Sequence, residues 1–189
     1  MKFDPKKPFD RDKFKELILY ISDKCKADPN FGDTKLNKIL YYSEMRCFVE
    51  LGKPITGQKF QHLEHGPGSK PLLPVREEMQ RDGACVVNKI RLPDGKPQTL
   101  TTAIKKPELT DFSAQEIEIV DSVIRGFWWG NADSVSDDSH DEPGWFMTDE
   151  REEIPYETFF FVKRPPTPGE TEYALELAAG RSPKMMPTA

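Results

Sequence analysis

Stretches with apolar residues at every third or fourth position alternate with clusters of glycine and proline, and that alternation predicts the elements. Phe14, Leu17, Ile18 and Ile21 recur at helical spacing after Asp12, with Tyr20 and Cys25 beside them. Asp28-Pro29-Asn30 closes this helix, because a residue before proline is disfavoured in the helical region. Thr34 stands as the N-cap of a second helix carrying Leu36, Ile39, Leu40, Met45, Phe48 and Val49, which Gly52 stops. Pro54, Gly57, Gly66, Pro67 and Gly68 punctuate the next segment, so 59–65 reads as an extended stretch ending in a turn. A third helix is predicted over 70–81, with Pro71 and Pro74 in its first turn and Gly83 at its end.

Residues 86–92 and 98–104 flank Pro93-Asp94-Gly95, and Asp-Gly between two such runs signals a β-hairpin. Ser113 and Glu116 form a capping box ahead of Ile117, Val120, Val123, Ile124 and Phe127. Ser134 caps a short helix toward His140, and 158–162 is either a strand or a last packing segment. Pro165-Pro166-Thr167-Pro168-Gly169 reads as a linker, and 171–179 is weakly helical. The elements together give an α+β chain without internal repeats. Residues 1–164 form one domain, and 165–189 form a Pro-rich tail that is disordered alone or binds a partner.

Composition narrows the function classes. A chain of 189 residues suits one domain, since domains most often run about 100–150 residues. A net charge of −5 supplies no basic surface for phosphates, so no nucleic-acid partner is expected. Cys25, Cys47 and Cys85 are odd in number, far apart and outside any CxxC pattern, and read as reduced, mostly buried thiols. Residues 1–10 contain no apolar signal segment, and no run approaches the roughly 20 apolar residues that cross a bilayer. A cytoplasmic protein without membrane association is the expectation.

Four segments in order carry a resemblance. Lys35-Leu36-Asn37-Lys38-Ile39-Leu40-Tyr41-Tyr42 is followed by Gly52-Lys53-Pro54-Ile55-Thr56, then by His65-Gly66-Pro67. Ser136, His140 and Trp145 come last, spaced S-x-x-x-H-x-x-x-x-W, with Val135 where a leucine is usual. This set, over residues 12–145, resembles the Panacea antitoxin domain, also described as SocA-like and often found in phage-associated proteins. The resemblance implies a compact, mainly helical domain with a small antiparallel sheet or hairpin. It also implies the antitoxin of a toxin–antitoxin pair, neutralising a toxin encoded by the adjacent gene through direct protein contact. One subgroup of the family acts instead as an adaptor that delivers its toxin to a protease, and that alternative stays open here.

The chemistry-bearing residues also admit plainer roles. His62, His65 and His140 are the only histidines, and with Asp137, Asp138 or Asp141 they would make a metal-dependent hydrolase. His62 and His65 sit three apart on an extended stretch and so face opposite ways, which disfavours chelation. No G-x-S-x-G is present, and Gly66-Pro67-Gly68 ahead of Lys70 lacks the phosphate-loop frame. No catalytic residue, metal ligand or cofactor is expected. Gly66, Pro67, His140 and Trp145 are assigned structural roles, His65 supporting the turn and His140 bonding near Trp145. Trp128-Trp129 and Phe159-Phe160-Phe161 each place a ring or two in the core and turn the next outward. Partner contact is expected from Tyr41, Tyr42, His65, Lys70, Trp128, Trp129, Asp137 and Asp138. Asp137 and Asp138 belong to the acidic stretch 133–153, which would complement a basic toxin.

Overall fold

A computed structural model describes residues 3–91, 95, 97–130, 142–161 and 168–179. Helix α1 spans Arg11–Lys24, and the Asp10 carboxylate caps it by accepting from the Lys13 amide at 3.0 Å. Helix α2 spans Asp33–Leu51. Its N-cap is Gly32, with no side-chain cap, so Thr34 lies inside the helix instead of at its edge. Gly52 ends α2 in the left-handed region (φ 80°), its amide bonding to Phe48 O at 3.0 Å.

The N-terminal arm runs along the loop after α2. The Asp4 amide donates to Gly52 O and the Asp10 amide to Thr56 O, at 2.7 and 2.8 Å, while Lys7 Nζ reaches Ile55 O. Gly57 sits at φ +72°, and a Cβ there would stand 2.5 Å from Lys7 O, so the arm and the loop require glycine.

Strand β1 (Phe60–Leu63) pairs antiparallel with β2 (Gly66–Ser69) through the loop Glu64-His65. The turn expected at Gly66-Pro67-Gly68 is therefore a strand. It lies at a sheet edge, where proline is tolerated because its missing donor faces no neighbour. Helix α3 (Leu72–Arg81) begins two residues later than the periodicity places it, with Pro71 as its N-cap. Strands β3 (Cys85–Arg91) and β4 (Pro97–Ala103) form the expected hairpin as a separate two-stranded sheet. Helix α4 spans Ala114–Phe127 with the capping box formed: Ser113 Oγ accepts from Glu116 N at 3.2 Å, and Glu116 Oε2 from Ser113 N at 2.8 Å.

A short helix, α5 (Pro143–Phe146), precedes β5 (Glu153–Ile154), which completes the first sheet in the order β2-β1-β5. Its register is Phe60 opposite Ile154. A 3₁₀ turn over Tyr156–Phe160 comes next, where a strand is one of the two expectations. Helix α6 spans Pro168–Ala178, so Pro168 and Gly169 open a helix instead of belonging to a linker. The short helix expected from Ser134 lies outside the described residues.

Phe14, Leu17, Ile18 and Ile21 of α1 meet Leu36, Ile39, Leu40, Met45 and Phe48 of α2 in the core. Val75 and Met79 of α3 and Val120 and Ile124 of α4 complete it. The three cysteines are free and buried, and burial pushes the Cys25 thiol up to about 12. The chain is α+β and mainly helical, with two small antiparallel sheets. No described helix is long and apolar enough to cross a membrane.

A motif cluster and its exposed aromatic rim

Helix α2 holds the motif residues together with charges that face inward. Lys35 Nζ meets Asp28 Oδ2 at 2.6 Å, both side chains only 1% exposed. Lys38 Nζ donates to the carbonyl of His65 at 2.7 Å, tying the helix to the β1–β2 loop. Asn37 Oδ1 accepts from the Ser69 amide at 2.9 Å, while its Nδ2 donates to Asp33 O at 3.0 Å. Glu44 is wholly buried, and its carboxyl accepts from the Thr56 amide at 3.0 Å and from the Thr56 hydroxyl. Burial raises the Glu44 pKa against the pull of these donors. Polar bonds thus tie α2, which carries the first of the four segments, to the second at Thr56 and the third at His65, and in low dielectric such bonds fix one arrangement.

The fourth segment closes on the same region. Trp145 stacks on His62 with ring centroids 4.2 Å apart, and its Nε1 donates to Leu63 O at 3.0 Å. Tyr42 packs on Phe127 at 5.2 Å and donates to Glu142 at 3.1 Å. The end of α4 and the start of α5 therefore converge on Tyr42.

The expected contact residues separate on this frame. Tyr41 does not reach the surface. It is fully buried against Phe60 at 5.2 Å, so it belongs to the core and not to a contact surface. Tyr42 and Trp128 are half-buried, and the Trp128 carbonyl lies 3.4 Å from Lys35 Nζ. Trp129, next in sequence, is 90% exposed. His65 sits exposed in the hairpin loop, and Lys70 is exposed and 3.6 Å from Glu153. Gly66 and Pro67 are buried in β2 beneath that loop, and Trp145 is half-buried. Asp137, Asp138 and His140 lie outside the described residues.

Sequence reasoning misses Phe146, 81% exposed, and Met147, 60% exposed, on and just after α5. Apolar side chains this exposed carry little packing and stand out on a protein surface. An apolar pair directly after the Pro-Gly-Trp turn is the signal that could have found them. A groove of about 740 Å³ lies elsewhere, between the N-terminal arm and the β5 region, with Lys6, Lys59, Lys70, Phe9 and Tyr156 among its walls. Among the described residues, no group of three or more His, Cys, Asp or Glu is placed to hold a metal ion.

No curated protein matches the chain, and no solved structure does. The family model for the antitoxin SocA-like, Panacea domain matches residues 36–146, more than half of the 189. That span runs from the motif helix α2 through the hairpin to the Trp145 turn, and the chain belongs to the SocA-like, Panacea-domain antitoxin family.

Proposed function

We propose that this protein is the antitoxin of a toxin–antitoxin pair, neutralising a toxin protein encoded beside it by direct binding. Family membership carries the reading. The exposed rings of Trp129 and Phe146 support it, because large aromatic side chains anchor protein interfaces. Both leave segments that converge on Tyr42, and we assign the contact face to Trp129, Phe146 and Met147, with His65 at its rim. The two buried lysines of α2 tie that helix to the loops at Asp28 and His65, so the partner would meet a preformed surface and little ordering entropy would oppose binding. Action takes place in the cytoplasm, without catalysis by this chain.

The test expresses the neighbouring open reading frame alone and with this protein. Growth arrest by the neighbour alone, relief on co-expression and co-purification as a stoichiometric complex are the expected results. A harmless neighbour, or a toxic one neither relieved nor bound, refutes the reading. Relief with loss of the toxin band, only when a cellular protease is present, would replace occlusion by delivery to that protease.

A further inference from the structure

Three described lysines are almost wholly buried, and they are not equally compensated. Lys13 meets Glu116 at 2.9 Å and Lys35 meets Asp28 at 2.6 Å. Lys38 is 1% exposed, yet among the described residues its ammonium has one acceptor, the His65 carbonyl, and no carboxylate within 4.0 Å. An ammonium carries three donors, and burying one without a counter-charge is costly. The cost shows in its proton affinity, which burial pulls down to about 7.

Lys38 borders a cavity of about 360 Å³. The start of α2, with Thr34 and Asn37, forms one wall, and the β1–β2 hairpin with Gly66 and Gly68 of β2 forms another. The helix runs for 19 residues and its N-cap Gly32 supplies no side-chain acceptor, so its positive end, even with Asp33 in the first turn, adds to the attraction for an anion. Arg151 stands at the rim, held at φ 68° with its amide bonded to His62 O at 2.8 Å. It is the sole described non-glycine residue with positive φ, a strained conformation of the kind that clusters at ligand clamps. Asp33 also lines the cavity, but its carboxylate is already held by both terminal nitrogens of Arg76. Glu64 and Glu150 at the rim oppose a doubly charged ligand more than a singly charged one.

We propose that this cavity binds one carboxylate group, held between the Lys38 ammonium, the first turn of α2 and Arg151. The carboxylate comes either from an acidic side chain or chain end of the toxin, which rests on the antitoxin reading, or from a free small acid, which does not.

The test is a titration of the full ¹⁵N-labelled chain with acetate, acetamide and inorganic phosphate at constant ionic strength. Acetate is expected to shift the Thr34, Asn37, Gly66 and Gly68 amides saturably, with acetamide inert and phosphate weaker. Lys38→Met is expected to weaken acetate binding about tenfold or more, the worth of a lost charged hydrogen bond. If that variant unfolds, Arg151→Gly, which removes the rim cation and relieves the backbone, is expected to weaken binding in the same direction. No saturable shift with acetate, or equal shifts with acetamide, overturns the proposal. In the toxin complex, loss of the acetate response assigns the carboxylate to the toxin, and its persistence assigns a free acid. The acetate arm needs no toxin, so it stands or falls separately from the antitoxin reading.

Discussion

Lys35 and Asp28 offer a decisive test of whether the motif helix is held by buried charge. The pair is 2.6 Å apart with both side chains 1% exposed, and Asp28 Oδ1 also accepts from the Asn30 amide at 2.9 Å. Lys35→Met keeps the aliphatic stem but strands the Asp28 carboxylate in low dielectric. Stranding one ion of a buried pair costs about 3–5 kcal/mol. Asp28→Asn keeps an acceptor for Asn30 and strands the Lys35 ammonium, whose other acceptor, the Trp128 carbonyl, is a long 3.4 Å away. That substitution is expected to cost about 3 kcal/mol. The double variant strands nothing and is expected to lose only about 1 kcal/mol, so the cycle returns a coupling of about 5 kcal/mol or more. Urea denaturation monitored by circular dichroism measures all four proteins, with unchanged m-values guarding against a shift in the unfolded state. Single variants within about 1 kcal/mol of wild type, or a double variant equal to the sum of the singles, would refute the reasoning.

The same geometry sets further outcomes. The pKa of Lys38 is about 7 in the fold against 10.5 for an ordinary lysine, so its contribution is fully present above pH 10.5 and lost as pH falls through 7. Denaturation at pH 9 and pH 6 should show wild type losing about 2–3 kcal/mol relative to Lys38→Met, and parallel profiles would contradict the assignment. Glu44→Ala leaves the Thr56 amide and hydroxyl without acceptors and should cost about 2–3 kcal/mol, whereas Glu44→Gln retains an acceptor and should cost less in the same melts. Gly57→Ala must displace Lys7 O and adopt φ +72°, so a loss of about 2 kcal/mol or more is expected, with the arm released to protease. Trp129→Ala should leave the melting temperature unchanged while weakening capture of the proposed toxin partner, measured by calorimetry, at least tenfold.

Periodicity alone reveals α1, α2 and α4, because their apolar stripes are complete and Gly52 and the Ser113–Glu116 box mark their ends. It fails at β2, where Gly-Pro-Gly-Ser has turn composition but takes its conformation from pairing with β1. It fails again inside α2. Spacing says nothing of Lys35, Lys38 and Glu44, because the residues that cover them arrive from loops at Asp28, His65 and Thr56. One-dimensional spacing holds no record of those crossings. Tyr41 is misplaced for the same reason, since one step along the helix separates its core position from the half-buried Tyr42. In Trp128-Trp129 the pattern of one ring inward and one outward holds. The functional assignment comes from the ordered motifs, not from any single residue's chemistry.

The pairing of β5 with β1 has a consequence for how the cell makes this protein. Phe60 waits for Ile154, about ninety residues further along, and the 3₁₀ turn whose Tyr156 and Phe160 pack on Phe48 of α2 comes later still. At translation rates of about 5–20 residues per second, the hairpin emerges roughly 5–20 s before its third strand exists. During that interval the inner edge of β1 is open and the Trp145 turn, which stacks on His62, has not been built. On the proposed antitoxin reading, a toxin made from a shorter message would be complete first, and the order and relative dose of the two genes would decide whether each newly made toxin meets a finished guard.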